Sequence, residues 1–499
     1  MLGTRVDNSM EALDWIVMLA YAALVIGIGV AASRGQHSAE SHLRADRSLP
    51  AWAVVFSILA TEVSAATYIG VPEAAYKGNW SYLQFALGAL LGKLVLATTF
   101  VPRYWKLELP TVYGFLGQRI GPLAQRASAC AFLGGRLIAS GVRLFIAALA
   151  FDAATGFGLG NAILGMALLS TVYTLLGGLK AVVWTDVAQG TIFALGALVA
   201  LLVGLSAISA APGEVVERAL DAGKLTVLKW DANPFTDSYQ MLTAILGGFV
   251  LALASHGTDQ ENVQHMLNVR NQRGSALSIL TSGLFTFPIV ALFLSVGTML
   301  WAFYSEHTPA GYGIQSPEEI KRIFPNFIVH ELPAGVRGLV FAGLFAAAVS
   351  SLGATLNATT SAWINDIRRH AESSLTRVRI LNCAFGLLLM LVGSFFAWYS
   401  KDSTLDLVQL ALSAMTILYP GILGAFLVAL FLDKRGNDAS VPLGMLAGAL
   451  LGALFFFQKQ LLAPLGMPEL AWPWTMSIAT LTAVLVASLG VRGRGVGRS

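Results

Sequence analysis

An apolar stretch at residues 49–72 carries polar side chains that a fully buried apolar helix would not contain. Its polar and helix-breaking residues are Thr61, Glu62, Ser64, Thr67 and the run Gly70-Val71-Pro72. Small polar residues followed by glycine and proline favour an interrupted helix, whose unwound carbonyls can hold a cation. The alternative is a proline-kinked helix in which the hydroxyls bond back to its own carbonyls. The segment alone supports these two interpretations about equally.

A second apolar stretch, at 333–364, carries two adjacent hydroxyls. Ala347, Ser350 and Ser351 fall at positions i, i+3 and i+4, which share one face of a helix. Together with the first stretch they supply a set of oxygens, the ligands that hard cations such as Na⁺ prefer. The candidate sodium ligands are the carbonyls of Ala60, Val63 and Ala347 and the hydroxyls of Ser350 and Ser351. The alternative is close packing of helices through the Gly/Ala/Ser run, which these residues alone favour slightly.

The composition identifies the elements that must position these groups. The chain has 499 residues, of which 56% are hydrophobic and 12% charged, and soluble proteins carry about 25% charged residues. This excludes a soluble enzyme and a nucleic-acid-binding protein and predicts an all-α polytopic membrane protein, because lipid leaves backbone groups no other partners and no alternating barrel strands appear. Thirteen stretches are long enough to span a membrane. They are 12–32, 49–72, 80–105, 126–152, 158–177, 183–209, 239–258, 275–303, 333–364, 376–399, 405–432, 440–461 and 470–491.

The distribution of basic residues predicts the orientation of these spans. With the N-terminus outside, the inner segments and adjoining span ends hold 19 of the 32 Lys and Arg, and the outer segments hold 10. Positive charge concentrates on the cytoplasmic side, so we expect the N-terminus outside and the C-terminus inside, in a bacterial inner membrane. We expect no cleavable leader before the first span. Cys130 and Cys383 are expected to be small buried hydrophobic residues rather than a disulfide or a metal pair.

A second interrupted span predicts an internal repeat. The stretch 239–258 contains Gly247-Gly248 and ends in a polar run, and it lies five spans after 49–72. Interrupted spans at corresponding places are the sequence pattern of inverted-repeat transporters. The expected organisation is one membrane domain over residues 1–499. Its parts are a leading helix at 12–32, a first repeat at 49–209, a second repeat at 239–432 and two trailing helices at 440–491.

Enzymatic motifs are missing from the sequence. It contains no HExxH, no GxSxG and no paired His/Cys cluster, and the seven histidines are scattered. We therefore expect no enzyme, no organic cofactor and no nucleic-acid partner. A sensor or channel is disfavoured because we expect no soluble C-terminal domain.

Four segments resemble the sodium:solute symporter family. They are TEVSAATYIGVPEAAYKGNW, YTLLGGLKAVVWTDVAQG, GTDQENVQHMLNVRNQRG and AGLFAAAVSSLGATLNATTSAWINDI, in this order. The resemblance implies a leucine-transporter-type five-plus-five inverted repeat and alternating access driven by Na⁺. It assigns the five oxygen donors above to the main sodium site and Asp186 to coupling that site to the cytoplasmic exit. The alternative for Asp186 is a helix-end charge paired with a loop Arg or Lys. Gly353 and Ala354 replace the hydroxyls that some members use for a second sodium site, which puts that site in doubt.

The solute side differs from the sugar-transporting members of the family. Ser255, Ala252 and Thr67 replace an aromatic gate, an amide and a glutamine, respectively. Arg136 and Gln84 instead resemble the sialic-acid-transporting members, where such residues face the acidic sugar with hydroxyls such as Ser64 and Thr67. The alternatives for Arg136 are a side chain that reaches the membrane surface or an ion pair with Asp152 or Glu62. Arg143, seven residues later on nearly the same helix face, is the rival carboxylate-binding residue.

These observations predict a sodium-coupled symporter, functional as a monomer, for a small carboxylate such as sialic acid or a monocarboxylate. The alternative solute is neutral: a sugar, polyol or nucleoside. One charge crossing 100 mV is worth about 2.3 kcal/mol. A monoanion carried with one Na⁺ loses this voltage contribution, so an anionic solute would benefit from a second cation.

Overall fold

The fold is nearly all helical. The computed structural model describes residues 10–33, 49–106, 111–174, 179–307, 317–368, 375–401 and 405–492. Within these ranges the only β pairing is two isolated bridges, Leu49 with Val269 and Arg435 with Val491, which confirms the all-α prediction. The helices are α1 (Ala12–Ser33), α2 (Ala51–Glu62), α3 (Ala66–Lys77), α4 (Trp80–Trp105), α5 (Tyr113–Arg119), α6 (Pro122–Thr155), α7 (Leu159–Thr174), α8 (Leu179–Ala207), α9 (Pro212–Asp221), α10 (Met241–Gly257), α11 (Gln260–Leu267), α12 (Gln272–Glu306), α13 (Pro317–Lys321), α14 (Ile323–Glu331), α15 (Val336–Ala362), α16 (Leu375–Tyr399), α17 (Leu407–Met415), α18 (Tyr419–Phe431), α19 (Ser440–Phe456), α20 (Gln458–Leu465) and α21 (Trp472–Ser488).

The helices match the predicted spans in position. In the described residues, seven helices are long and apolar enough to cross a membrane, and eleven spans result if each of four bent helix pairs is one span. Two shorter apolar helices, Leu159–Val172 and Trp472–Ser488, lie where the two other spans are predicted. The total of thirteen spans and the repeat boundaries stay predictions. Residues 175–177 of one predicted span lie outside the described residues, as do basic residues used for the orientation, namely Arg5, Arg34, Arg44, Arg47, Arg369, Arg494 and Arg498.

Both predicted interruptions exist, and the second lies at other residues than predicted. The bend between α2 and α3 is 63° and falls after Glu62, before Gly70-Val71-Pro72. Pro72 lies inside α3, directly after the wider π-helical turn Ala66–Gly70, and does not mark the bend. The 70° bend between α10 and α11 falls at Thr258-Asp259, while α10 runs unbroken through Gly247-Gly248. Asp259 caps α11 by accepting a hydrogen bond from the Glu261 N–H.

Glycines bring α4 and α10 into close contact instead of breaking α10. A Cβ atom on Gly248 would lie 2.1 Å from the carbonyl oxygen of Phe85, and one on Gly88 would lie 2.1 Å from that of Ile245. The backbones therefore meet directly, as small residues permit in membrane helix packing. This contact fixes the position of the helix that leads into the α10–α11 bend.

We expect Gly88→Ala to destabilise the protein by about 1–3 kcal/mol, because the added methyl group overpacks a contact between two backbones. The midpoint of thermal unfolding, followed by fluorescence-detected size exclusion, measures the effect. Gly165→Ala on α7 is the matched control, since nothing lies within 4 Å of its Cβ position. Equal midpoints for the two variants would contradict the close contact.

The bundle has a buried centre and an apolar outer surface. Helices α6 and α15 are enclosed by the others, while leucines on the outer helices are exposed, as expected for a surface that faces lipid. Cys130 and Cys383 lie on this outer surface, and both are free thiols. The prediction that they are buried was therefore wrong: each lies on the outward face of its helix, which sequence alone did not resolve.

Candidate functional site

A cavity of about 130 Å³ lies at the bend between α2 and α3. Its walls come from α2, α3, α4, α6, α10, α11, α12 and α17, and most of its lining is apolar. The polar and charged lining residues are Thr61, Glu62, Ser64, Thr67, Arg136, Arg143, Ser255, His256, Asn262 and Thr286. The cavity is thus lined by Val63 and Ser64 at the first interruption and by Ser255 and Asn262 on either side of the second. The end of a helix can offer unpaired backbone groups to a ligand there.

The predicted sodium ligands lie on two neighbouring elements. Ala60 and Val63 are at the end of α2, where the chain leaves the helix, with Val63 extended at φ −82° and ψ 94°. The last carbonyls of a helix have no partner within that helix. Ala347, Ser350 and Ser351 are buried on α15, which contacts α2. All five positions therefore offer oxygens, the donor type that suits Na⁺.

Asp186 links the helices that carry these ligands. Its carboxylate accepts hydrogen bonds from Ser57 on α2, at 2.6 Å, and from Ser350 on α15. Ser57 also lies 3.0 Å from the Nδ1 atom of His265 on α11. In the described part of the chain, no Lys or Arg side-chain nitrogen comes within ion-pair distance of Asp186. A buried carboxylate held only by hydroxyls is poised to attract a cation.

Arg136 is buried in a cluster of acids. Its Nη2 forms an ion pair with Glu261, its Nη1 lies 3.3 Å from Asp259, and its Nε donates to Thr355 at 2.9 Å. Tyr419, at the start of α18, donates to Asp259 at 2.6 Å. The guanidinium therefore ties together the α10–α11 bend, α15 and the α17–α18 bend.

The ion-pair alternative for Arg136 named the wrong partners. Asp152 pairs with Arg322 at 3.1 Å, and Glu62 pairs with Lys93 and His256. The signal available in the sequence was the pair of acids in GTDQE, directly after an apolar stretch.

The predicted solute residues separate into two groups. Ser64 and Thr67 line the cavity. Gln84 does not: its amide donates to the carbonyls of Ser81 and Tyr239, both at 3.0 Å, and accepts from the Lys229 N–H. The structure therefore places Gln84 in backbone contacts beside the cavity, away from the two hydroxyls.

Arg143 lines the cavity without an acidic partner. Its Nη1 donates to the Ser351 hydroxyl at 2.9 Å. No carboxylate among the described residues lies within 4.0 Å of this guanidinium. In contrast, Arg136 has two acidic partners, so the positive charge of Arg143 is more available to a solute than that of Arg136.

Sequence reasoning missed an ion-pair triad at the α2–α3 bend. The Glu62 carboxylate pairs with Lys93 of α4 and lies 2.5 Å from the Nε2 of His256 on α10. Thr286 of α12 donates to the same carboxylate at 3.1 Å. Lys93 lies mid-span with only 1% of its surface exposed, and a buried charge requires such partners. The triad fixes the end of α2 between three other helices.

Comparison with known proteins gives a family match over most of the chain. The model of the sodium:solute symporter family matches residues 42–452. The sodium-dependent multivitamin transporter of Oryctolagus cuniculus is 28% identical, over 96% of this chain and 77% of the relative. The sodium/sialic acid symporter NanT of Aliivibrio fischeri is 25% identical, over 88% and 87%. The sodium-coupled monocarboxylate transporter 1 of Mus musculus is 24% identical, over 94% and 77%.

Solved structures share the fold. A Na⁺-coupled sialic acid symporter in a substrate-bound outward-open state superposes with a TM-score of 0.83 at 22% identity, over 97% of this chain and 99% of that chain. A nucleobase-cation-symport-1 family transporter in a closed conformation gives 0.56 at 13% identity, over 89% and 92%. These likenesses confirm the predicted transporter fold.

Proposed function

This chain belongs to the sodium:solute symporter family, and we propose that its solute is a small monocarboxylate with an apolar body. As a member, it is an integral membrane protein that takes up a solute with Na⁺ by alternating access. The proposal for the solute rests on one observation: an arginine without an acidic partner, Arg143, lines a small and mainly apolar cavity.

The size and lining of the cavity support a solute of few atoms. Its volume of about 130 Å³ is well below the roughly 300–1,000 Å³ of pockets that hold drug-sized ligands. An acidic sugar would need hydrogen bonds for many hydroxyls, since a buried polar group without a partner is costly. Glu62, His256 and Arg136 are paired with protein groups. The side chains of Thr61, Ser255, Asn262 and Thr286 already donate to protein oxygens, so the hydroxyls of Ser64 and Thr67 are left as the main polar partners beside Arg143. A monocarboxylate needs one cation and apolar walls, which this cavity offers.

The charge of the relatives' solutes agrees with an anion. Sialic acid and monocarboxylates, named for two relatives, are both carboxylates. A guanidinium is suited to carboxylates because its N–H groups match both oxygens. Ser64 and Thr67 are proposed to contact the solute beside Arg143.

The sodium site is proposed at the carbonyls and hydroxyls between α2 and α15, with Asp186 next to it. Counting Asp, Glu, Lys and Arg alone, the charged side chains near the cavity and this site comprise four carboxylates and three cations. The carboxylates are Glu62, Asp186, Asp259 and Glu261, and the cations are Lys93, Arg136 and Arg143. The excess negative charge favours entry of Na⁺ before the anion.

The location follows from the charge distribution. We propose a bacterial inner membrane, with the N-terminus outside and the C-terminus inside, because basic residues are more frequent in the segments that would be cytoplasmic. A single chain builds both the cavity and the sodium site. The functional unit is therefore proposed to be the monomer.

Uptake into proteoliposomes tests the solute. With an inward Na⁺ gradient, we expect radiolabelled pyruvate to accumulate at least tenfold faster than with choline replacing Na⁺, and unlabelled propionate to compete. N-acetylneuraminate tests the acidic sugar and ribose tests a neutral solute. A valinomycin-imposed potential reports the net charge moved per solute. Uptake of ribose or N-acetylneuraminate without uptake of pyruvate would contradict the proposal.

A further inference from the structure

We propose that Arg143 occupies the sodium-site hydroxyl of Ser351 until Na⁺ displaces it, and that the displaced guanidinium then binds the solute carboxylate. The second half of this statement rests on the proposed anionic solute. The first half concerns Na⁺ alone. Arg143 would thus connect the ion site to the solute site directly, through one side chain.

The two serines of the proposed sodium site differ in how their hydroxyls are used. Ser350 donates its proton to Asp186, so both oxygen lone pairs remain available to a cation. Ser351 accepts a hydrogen bond from Arg143 Nη1 at 2.9 Å, so a guanidinium already takes one of its lone pairs. The neighbouring hydroxyls are therefore not equivalent: one is prepared for Na⁺ and the other is held by a positive side chain.

Na⁺ and Arg143 compete for the Ser351 oxygen. Two positive charges that share one hydroxyl oxygen in a poorly solvated interior repel each other strongly. Asp259 and Glu261, the acids of the neighbouring cluster, are already paired with Arg136. Among the described residues, Arg143 has no carboxylate within 4.0 Å to anchor it when Na⁺ arrives.

The cavity is the space open to the displaced guanidinium. Arg143 already lines it and is only partly buried, whereas Arg136 has 1% of its surface exposed. Na⁺ binding would turn Arg143 from a hydrogen-bond donor to Ser351 into an unpaired cation facing the solute. Linkage then requires reciprocity: Na⁺ raises the affinity for the carboxylate, and the carboxylate raises the affinity for Na⁺ by the same factor.

Sodium binding without any solute tests the competition. We expect purified Arg143→Gln to bind ²²Na⁺ about tenfold more tightly than the wild type, within the usual range of coupling factors. Arg143→Lys, which keeps a cation on a shorter side chain, should fall between the two. Arg322→Gln is the matched control, because it removes an arginine that pairs with Asp152 at the far end of α6. Unchanged or weaker Na⁺ binding in Arg143→Gln would overturn the inference whatever the solute is.

A second variant gives an answer if Arg143→Gln does not fold. Ser351→Ala removes the hydroxyl that holds Arg143, so its affinity for labelled pyruvate in choline should already match the wild-type affinity in Na⁺, about tenfold above the wild-type affinity in choline. Loss of a sodium ligand alone would leave the affinity in choline at the wild-type value and would contradict the inference. A wild-type-like dependence of pyruvate affinity on Na⁺ in Ser351→Ala would contradict the inference. If the wild type binds no monocarboxylate while Arg143→Gln binds Na⁺ more tightly, the solute proposal fails and the displacement of Arg143 stands.

Discussion

Arg136→Gln is expected to remove most of the correctly folded protein. The substitution leaves Asp259 and Glu261 buried without their cation, and losing one partner of a buried ion pair costs about 3–5 kcal/mol. The loss should appear as a reduced monodisperse peak in size exclusion and a lower midpoint of thermal unfolding. Na⁺ and solute need not be present for this effect.

Neutralising the acids should restore the fold. In Arg136→Gln/Asp259→Asn/Glu261→Gln the buried charges disappear together, so we expect the peak and the midpoint to recover most of what Arg136→Gln loses. Arg322→Gln controls for the loss of an arginine in general, because its pair with Asp152 is partly exposed to solvent and such pairs contribute little. If Arg136→Gln folds like the wild type and loses only carboxylate binding, Arg136 contacts the solute and its ion pairs are not what holds the bends together.

The fold was predictable from the sequence because lipid restricts what an apolar segment can do. Long apolar runs must form helices, and the helices lie where the runs are. The positions of the bends were harder to predict from the sequence. Gly247-Gly248 suggested a break, but glycine also permits two backbones to touch, and only the presence of α4 beside α10 distinguishes the two uses. The bend in the chain occurs at Asp259, which caps α11.

The partners of the charged side chains were not predictable, for a different reason. The sequence identified Arg136 as a costly charge inside a span, but Asp259 is 123 positions away along the chain. The same holds for Glu62, whose partners Lys93 and His256 come from two other helices. Hydropathy predicts that a buried charge needs a partner. It does not say which one, because that depends on how the helices are arranged around one another.

Asp186→Asn is expected to raise the Na⁺ concentration for half-maximal uptake by about tenfold to a hundredfold. The asparagine has nearly the same shape but no charge, so the attraction for the ion is lost. Its single carbonyl oxygen also cannot replace both carboxylate oxygens that accept from Ser57 and Ser350. A hydrogen bond to a charged group contributes about 1.5–3 kcal/mol, and about 1.4 kcal/mol corresponds to a tenfold change in affinity.

Initial uptake rates in proteoliposomes at increasing Na⁺ concentration measure this effect. Asp152→Asn is the matched control, since it neutralises an aspartate that pairs with Arg322 near the C-terminal end of α6, and its Na⁺ dependence should stay that of the wild type. Ser57→Ala should give a smaller rise than Asp186→Asn, because it removes one hydrogen bond and leaves the negative charge. The order of the three variants in Na⁺ concentration for half-maximal uptake separates the effect of the carboxylate's charge from the effect of its hydrogen bonds. An Asp186→Asn curve that overlays the wild type would place the coupling ion away from Asp186. Equal shifts for Asp186→Asn and Ser57→Ala would mean that the carboxylate acts by positioning α2 against α15 and not by attracting the ion.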